Sequence, residues 1–148
     1  MTMRAVTTIV LFAAIALVLL GCEFRKNISR EEIPLIKQSL SAFEVVLKLR
    51  STVYVDSLLS GEAAKAGTTS KQILDFVYSD GLEEFVGFTQ KQIFFRGDAA
   101  RIDCSITGPD GPVKDVTITM RKENETWLIK KIEPRLPDGA KRDSAGTY

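Results

Sequence analysis

The chain has 148 residues, and its 20 Lys and Arg residues nearly balance 19 Asp and Glu residues. This balance gives no general field that would attract nucleic acid or an acidic surface. The sequence contains no histidine, which excludes His-based acid–base catalysis, Ser-His-Asp and Cys-His nucleophiles, and metal sites that need imidazole.

The first element is an apolar run from Ala5 to Leu20, preceded by Arg4 and followed by Gly21 and Cys22. A run of about 16 residues is short for a membrane-spanning helix, which needs roughly 20, and it suits the apolar core of a signal peptide. An uncleaved N-terminal anchor and an ordinary secretory signal are the alternatives. All three interpretations place the following domain outside the cytoplasm.

The tetrad Leu19-Leu20-Gly21-Cys22 resembles the lipobox of bacterial lipoproteins, with an aliphatic residue, a small residue and then the cysteine. The resemblance implies signal cleavage between Gly21 and Cys22 and acylation of Cys22. Two or three acyl chains, at about 0.8 kcal/mol per buried methylene, would hold the protein on the cell membrane. Glu23, in place of an inner-membrane aspartate signal, favours the outer membrane facing the periplasm in a cell with two membranes.

Removal of residues 1–21 leaves a chain of the size of one domain. We expect residues 22–32 to hold the lipidated cysteine and a polar tether, and residues 33–133 to form a single domain. Residues 134–148 contain prolines, glycines and charges with little to bury, so we expect a disordered tail. If Cys22 is acylated, Cys104 has no disulfide partner, and its free thiol should be either buried or functional.

Three helices are predicted before any strand. The first should begin near Pro34, since proline suits the first helical position. A second, short helix is expected within residues 51–66, broken around Gly61 and Gly67. Thr69 and Gln72 form a capping box that predicts the start of the third helix, which should end at 80–81. The apolar stripe that turns the first helix towards a core consists of Ile33, Ile36, Leu40, Phe43 and Leu47.

From Phe85 onwards the apolar period changes from 3.6 to 2, which predicts strands. Short turns at 97–98, 108–112 and 123–125 separate them, so neighbouring strands should be antiparallel and form a meander. Helices followed by such a sheet predict an α+β fold, with the helices packed on one face of a curved sheet. The apolar side of the strands should carry Ala100, Ile102, Cys104, Ile106, Val116, Ile118, Met120 and Trp127.

Residues 94–102 (Phe-Phe-Arg-Gly-Asp-Ala-Ala-Arg-Ile) resemble a signature of a strand, Gly-Asp, a small residue and a second strand. Residues 116–132 resemble the closing hairpin of the same family, the nuclear-transport-factor-2-like (cystatin-like) small lipoproteins of bacteria. The resemblance covers roughly residues 34–133 and implies a cone-shaped half-barrel with helices closing a pocket. This fold hosts isomerases, dehydratases, binding proteins and dimerisation modules, so it does not name the function.

The candidate pocket residues are Phe94, Arg101, Asp103 and Trp127. Arg101 and Asp103 could form an acid–base or ligand-clamping pair, but strand alternation should instead leave them in solvent. Trp127 could stack on a ligand, or could join the sheet to a helix as a core residue. Phe94 could line an apolar pocket or fill the core.

The preferred hypothesis is a non-enzymatic envelope lipoprotein that serves as a binding or assembly module, with no cofactor, metal or nucleic acid. It would work through an envelope protein partner or a small apolar ligand. The second hypothesis is a pocket enzyme of isomerase or dehydratase type, which needs convergent Asp, Tyr or Arg side chains in a cavity. The third is a structural homodimer joined through the open sheet face. Exposure of Val116, Ile118 and Met120, or of Trp127 and Ile129, would support it.

Overall fold

The computed structural model describes residues 30–137 of the chain. The predicted signal peptide, the Gly21–Cys22 cleavage and lipidation site, most of the tether and most of the tail lie outside these residues. The chain divides into two compact units, Met1–Leu35 and Ile36–Tyr148. Of the first unit, the structure describes residues 30–35, which are helical.

Within residues 30–137, four helices precede the sheet: α1 (residues 30–49), α2 (Thr52–Asp56), α3 (Gly61–Lys65) and α4 (Ser70–Val77). Helix α1 already includes Arg30, so the prediction that it begins near Pro34 is wrong. The φ angle of Pro34 is compatible with a helix, and its missing N–H removes one backbone hydrogen bond. The longer helix tolerates that loss. Within the second unit, the predicted apolar stripe of α1 is confirmed by the burial of Ile36, Leu40, Phe43 and Leu47.

The predicted short second helix is confirmed as α2, and its break comes at residues 57–60. The prediction missed α3, of which Gly61 is the first residue. Ser60 caps this helix by accepting a hydrogen bond from the Ala63 N–H at 3.1 Å. The carboxylate of Glu123, far along the chain, accepts from the Gly61 N–H at 3.0 and 3.1 Å. These contacts supply acceptors for the free N–H groups at the start of a helix.

The capping box of α4 is confirmed. The Thr69 hydroxyl accepts a hydrogen bond from the Gln72 N–H at 3.2 Å, and the Gln72 side chain accepts from the Thr69 N–H at 3.0 Å. The chain leaves the helix through Asp80 and Gly81, which have φ values of 60° and 75°. Glycine adopts this left-handed conformation without steric cost, as the sequence predicted for the end of the helix.

In the described part of the chain the sheet has four strands in the order β1-β2-β3-β4, each antiparallel to its neighbours. The strands are β1 (Gly87–Arg96), β2 (Ala99–Gly108), β3 (Gly111–Glu123) and β4 (Thr126–Pro134). The predicted meander and the α+β class are therefore confirmed. Residues 58–60 run beside β4, where the Ser60 N–H donates to the Ile129 carbonyl at 2.8 Å and Leu59 forms a parallel bridge to Ile129.

One face of the sheet packs against the helices and forms the core. Its buried side chains include Ala100, Ile102, Cys104, Ile106, Val116, Ile118, Met120, Trp127 and Ile129. These residues share a cluster with the buried stripe of α1 and with Ile73 and Val77 of α4. The exposed patch around Val116 or Trp127 that would have supported a homodimer through this face is not present, because helices cover the face.

Candidate functional site

The opposite face of the sheet carries three of the four predicted pocket residues. Phe94 on β1 is paired with Arg101 on β2, and Asp103 lies two residues further along the same face of β2. Trp127 instead belongs to the core face, where it is 2% exposed. Strand alternation thus brings Phe94, Arg101 and Asp103 together and keeps Trp127 apart from them.

Asp103 is buried, although strand alternation predicted a place in solvent. It is 6% exposed because β2 is an inner strand whose neighbours cover it on both sides. The Nη2 atom of Arg101 lies 3.1 Å from Oδ2 of Asp103, and the Thr117 hydroxyl donates to Oδ1 at 2.9 Å. A buried carboxylate is costly unless it is paired and hydrogen-bonded, and both oxygens of Asp103 have a partner.

Arg101 lies between this carboxylate and an aromatic ring. The guanidinium carbon is 4.6 Å from the ring centroid of Phe94, within the range of a cation–π interaction. The Nε atom of Arg101 is buried and makes no hydrogen bond within residues 30–137. Phe94 is 48% exposed, so Arg101 covers only part of its ring. The cluster therefore presents an aromatic surface to solvent above a neutralised ion pair.

Hydroxyl groups extend the same polar face along the sheet. Ser105 donates to the Asp115 carboxylate at 2.5 Å, and the hydroxyls of Thr89 and Thr107 lie 2.8 Å apart. Sequence reasoning did not select Thr117 or Ser105, which are both buried. Thr117 could have been selected from the register of the β2–β3 hairpin, since that register places it directly opposite Asp103.

Cys104 points to the core face and is 1% exposed. Burial raises the pKa of its thiol to about 12. It is free of a disulfide in the described structure. A reactive cysteine needs exposure and a lowered pKa, so this thiol serves as a small apolar core group.

Surface depressions among the described residues include a pair that lies away from Phe94 and Arg101. One is lined by Arg50, Leu74, Asp75 and Tyr78, and the other by Asp115, Arg135, Leu136 and Pro137. In the first, the Arg50 guanidinium stacks over the Tyr78 ring at 3.9 Å and the Tyr78 hydroxyl donates to the Leu47 carbonyl at 2.7 Å. These contacts engage Arg50 and Tyr78, and the Asp75 carboxylate pairs with Lys71 at 2.5 Å.

Residues 30–137 contain no group of three or more Cys, Asp or Glu side chains placed to hold a metal ion. No helix within the described range has both the length and the hydropathy that crossing a membrane requires. Comparison of the chain with protein-family models, with curated proteins and with solved structures found no match.

Proposed function

We propose that the protein is a membrane-anchored envelope lipoprotein whose folded domain acts as a non-enzymatic binding or assembly module. The observation that carries this proposal is the tetrad Leu19-Leu20-Gly21-Cys22 after an apolar run of signal-peptide length. Acyl chains on Cys22 would hold the domain at an extracytoplasmic membrane surface, facing the periplasm in a cell with two membranes. A protein partner or a small apolar ligand would be its target.

The arrangement of the sheet supports binding over chemistry. A general acid or base must reach the substrate proton within hydrogen-bond distance. Both oxygens of Asp103 are already engaged, by Arg101 and Thr117, and the side chain is buried. The helix-facing side of the sheet is packed with apolar side chains. The exposed Phe94 ring, by contrast, is available for contact with a partner or an apolar ligand.

We also propose that the domain belongs among the nuclear-transport-factor-2-like small lipoproteins, with the sheet curved as a cone-shaped half-barrel. The order of the elements supports this assignment, since the helices precede an antiparallel meander that has the Gly97-Asp98 turn between β1 and β2. The isomerase or dehydratase alternative would take its acid–base group from Asp103. If the purified protein turned over a substrate and Asp103→Asn abolished that turnover, the enzyme would replace the binding proposal.

The anchor is tested by the intact mass of the protein extracted from membranes. We expect a mature chain that begins at Cys22 and carries acyl chains, and a Cys22→Ala variant that stays unprocessed. Cys104→Ala is the matched control, because it removes the other cysteine and should leave processing and acylation unchanged. An unmodified chain that still starts at Met1 would contradict the proposal and leave an ordinary membrane helix.

A further inference from the structure

The two outer edges of the sheet differ. The edge of β4 is covered by residues 58–60, through hydrogen bonds between Ser60 and Ile129 and between Ile129 and Leu58. Within residues 30–137, β1 has β2 as its only neighbour. An open edge offers N–H and C=O groups to a further strand, and proteins usually protect such edges. The edge of β1 is therefore the place where the described sheet can be extended.

The first half of the β1 edge is protected. The Glu44 carboxylate accepts a hydrogen bond from the Phe88 N–H at 3.0 Å and pairs with Lys91 at 2.7 Å. A bulge follows between Thr89 and Gln92, with Gln90 at a φ of 54°. Such a bulge interrupts regular pairing. Residues 92–96 continue regularly from there to the hairpin turn, and within residues 30–137 no comparable contact protects their edge.

The ladder shows which backbone groups point outward. The Asp98 carbonyl accepts from the Lys122 N–H of β3 at 2.8 Å. Successive residues of an antiparallel strand direct their backbone groups to alternate sides. Because Asp98 faces β3, Arg101, which lies three residues further on and is paired with Phe94, directs its backbone groups towards β1. Phe94 therefore directs its N–H and C=O into the sheet. Ile93 and Phe95 direct theirs out of the β1 edge.

We propose that this edge joins two copies of the chain as antiparallel β1 strands, with the two-fold axis at Phe94. Ile93 of each copy then lies opposite Phe95 of the other, and each such pair exchanges two backbone hydrogen bonds. Phe94 meets Phe94 of the second copy at the closely spaced, non-hydrogen-bonded position. The result is one continuous sheet across the axis, closed by symmetry.

The side chains favour a second copy of this chain as the occupant. In this register Gln92 faces Arg96 of the other copy, so no like charges are opposed and the amide oxygen can accept from the guanidinium. A register centred on Arg96 would oppose two guanidinium groups, and one centred on Gln92 would run into the bulge. The half-exposed Phe94 ring gains burial against its counterpart.

This pairing goes beyond the proposed anchor and does not depend on acylation, and it covers the Phe94 ring that the proposed function offers to a partner. The paired stretch is short, so the dimer should be weak in dilute solution. Confinement of two chains to one membrane would raise their effective concentration and favour it.

Disulfide trapping of the full chain in detergent tests the register. With Phe94→Cys and a mild oxidant, we expect a disulfide-linked dimer, because Cα atoms of a non-hydrogen-bonded pair lie about 4.5 Å apart, within the range of a disulfide. Gln92→Cys and Arg96→Cys should each stay monomeric. In this register the same position in the two copies is offset by four residues, which places the two cysteines about 13 Å apart. An equal mixture of these two variants should form the dimer.

Mass spectrometry of the joined peptides separates these links from any made through Cys22, and Cys104 is buried. Val86→Cys is the control, because Val86 is exposed but lies before β1 and outside the paired stretch. Phe94→Cys that dimerises no more than Val86→Cys would overturn the proposal. It would equally fail if the Gln92→Cys and Arg96→Cys mixture gave no more dimer than either variant alone.

Discussion

Alkaline pH should destabilise this protein through Cys104. Burial raises the pKa of the folded thiol to about 12, from the ordinary value of 9.0 that holds in the unfolded chain. At neutral pH both states keep the proton, so the thiol has no effect on the free energy of unfolding there. Between pH 9 and 12 the unfolded state loses the proton and the folded state keeps it. Stability must therefore fall as pH rises through this window.

The size of the effect follows from the two pKa values. Each pH unit between them lowers the free energy of unfolding by about 1.4 kcal/mol, so the loss relative to neutral pH is about 1.4 kcal/mol at pH 10 and about 2.7 kcal/mol at pH 11. Other groups also titrate at these values. Cys104→Ala removes the thiol and keeps the rest, so the difference between the two proteins isolates its contribution.

The measurement is urea unfolding of wild type and Cys104→Ala at pH 7, 9 and 10, followed by far-UV circular dichroism. The variant should be less stable at pH 7, because it leaves a small cavity, and should lose less stability than wild type between pH 7 and 10. A native-state thiol titration at pH 8 should show Cys104 unreactive until urea is added. Equal pH dependence in the two proteins, or rapid labelling of the folded one at Cys104, would refute the reasoning.

Two further substitutions test contacts that shape the domain. Thr69→Ala removes one hydrogen bond of the capping box and should lower the free energy of unfolding by about 1 kcal/mol, while the adjacent Thr68→Ala should change it little. Urea unfolding midpoints compare the two variants. Equal losses would show that the cap does not stabilise the helix. Gly108→Ala would place a Cβ 2.7 Å from Cδ1 of Leu82 and should cost about 1–3 kcal/mol. A double variant with Leu82→Ala should lose less than the sum of the single losses, and strict additivity would show that the clash is not the cause.

Local pattern was enough for much of the fold. The alternation around Ile102 identified the core face of β2, and Thr69 with Gln72 identified the start of α4, because these signals act between residues close in sequence. Turn residues such as Gly97 fixed strand direction in the same way, since a short turn leaves only antiparallel neighbours. The chemistry of the candidate site was less accessible. Three of its four predicted residues lie together, and Trp127 lies on the other face.

The sequence by itself determined the α+β class, the meander, the core faces of β2 and β3 and the exclusion of histidine chemistry. Only the tertiary structure decided that Gly61 starts a helix, that Asp103 is buried and that β1 keeps an open edge. Each of these depends on contacts between distant residues. Glu123 reaches Gly61 from β3, Thr117 and Arg101 enclose Asp103 within the sheet, and residues 58–60 cover β4 but not β1. Sequence periodicity reports which side of an element is buried, whereas these contacts depend on which elements meet.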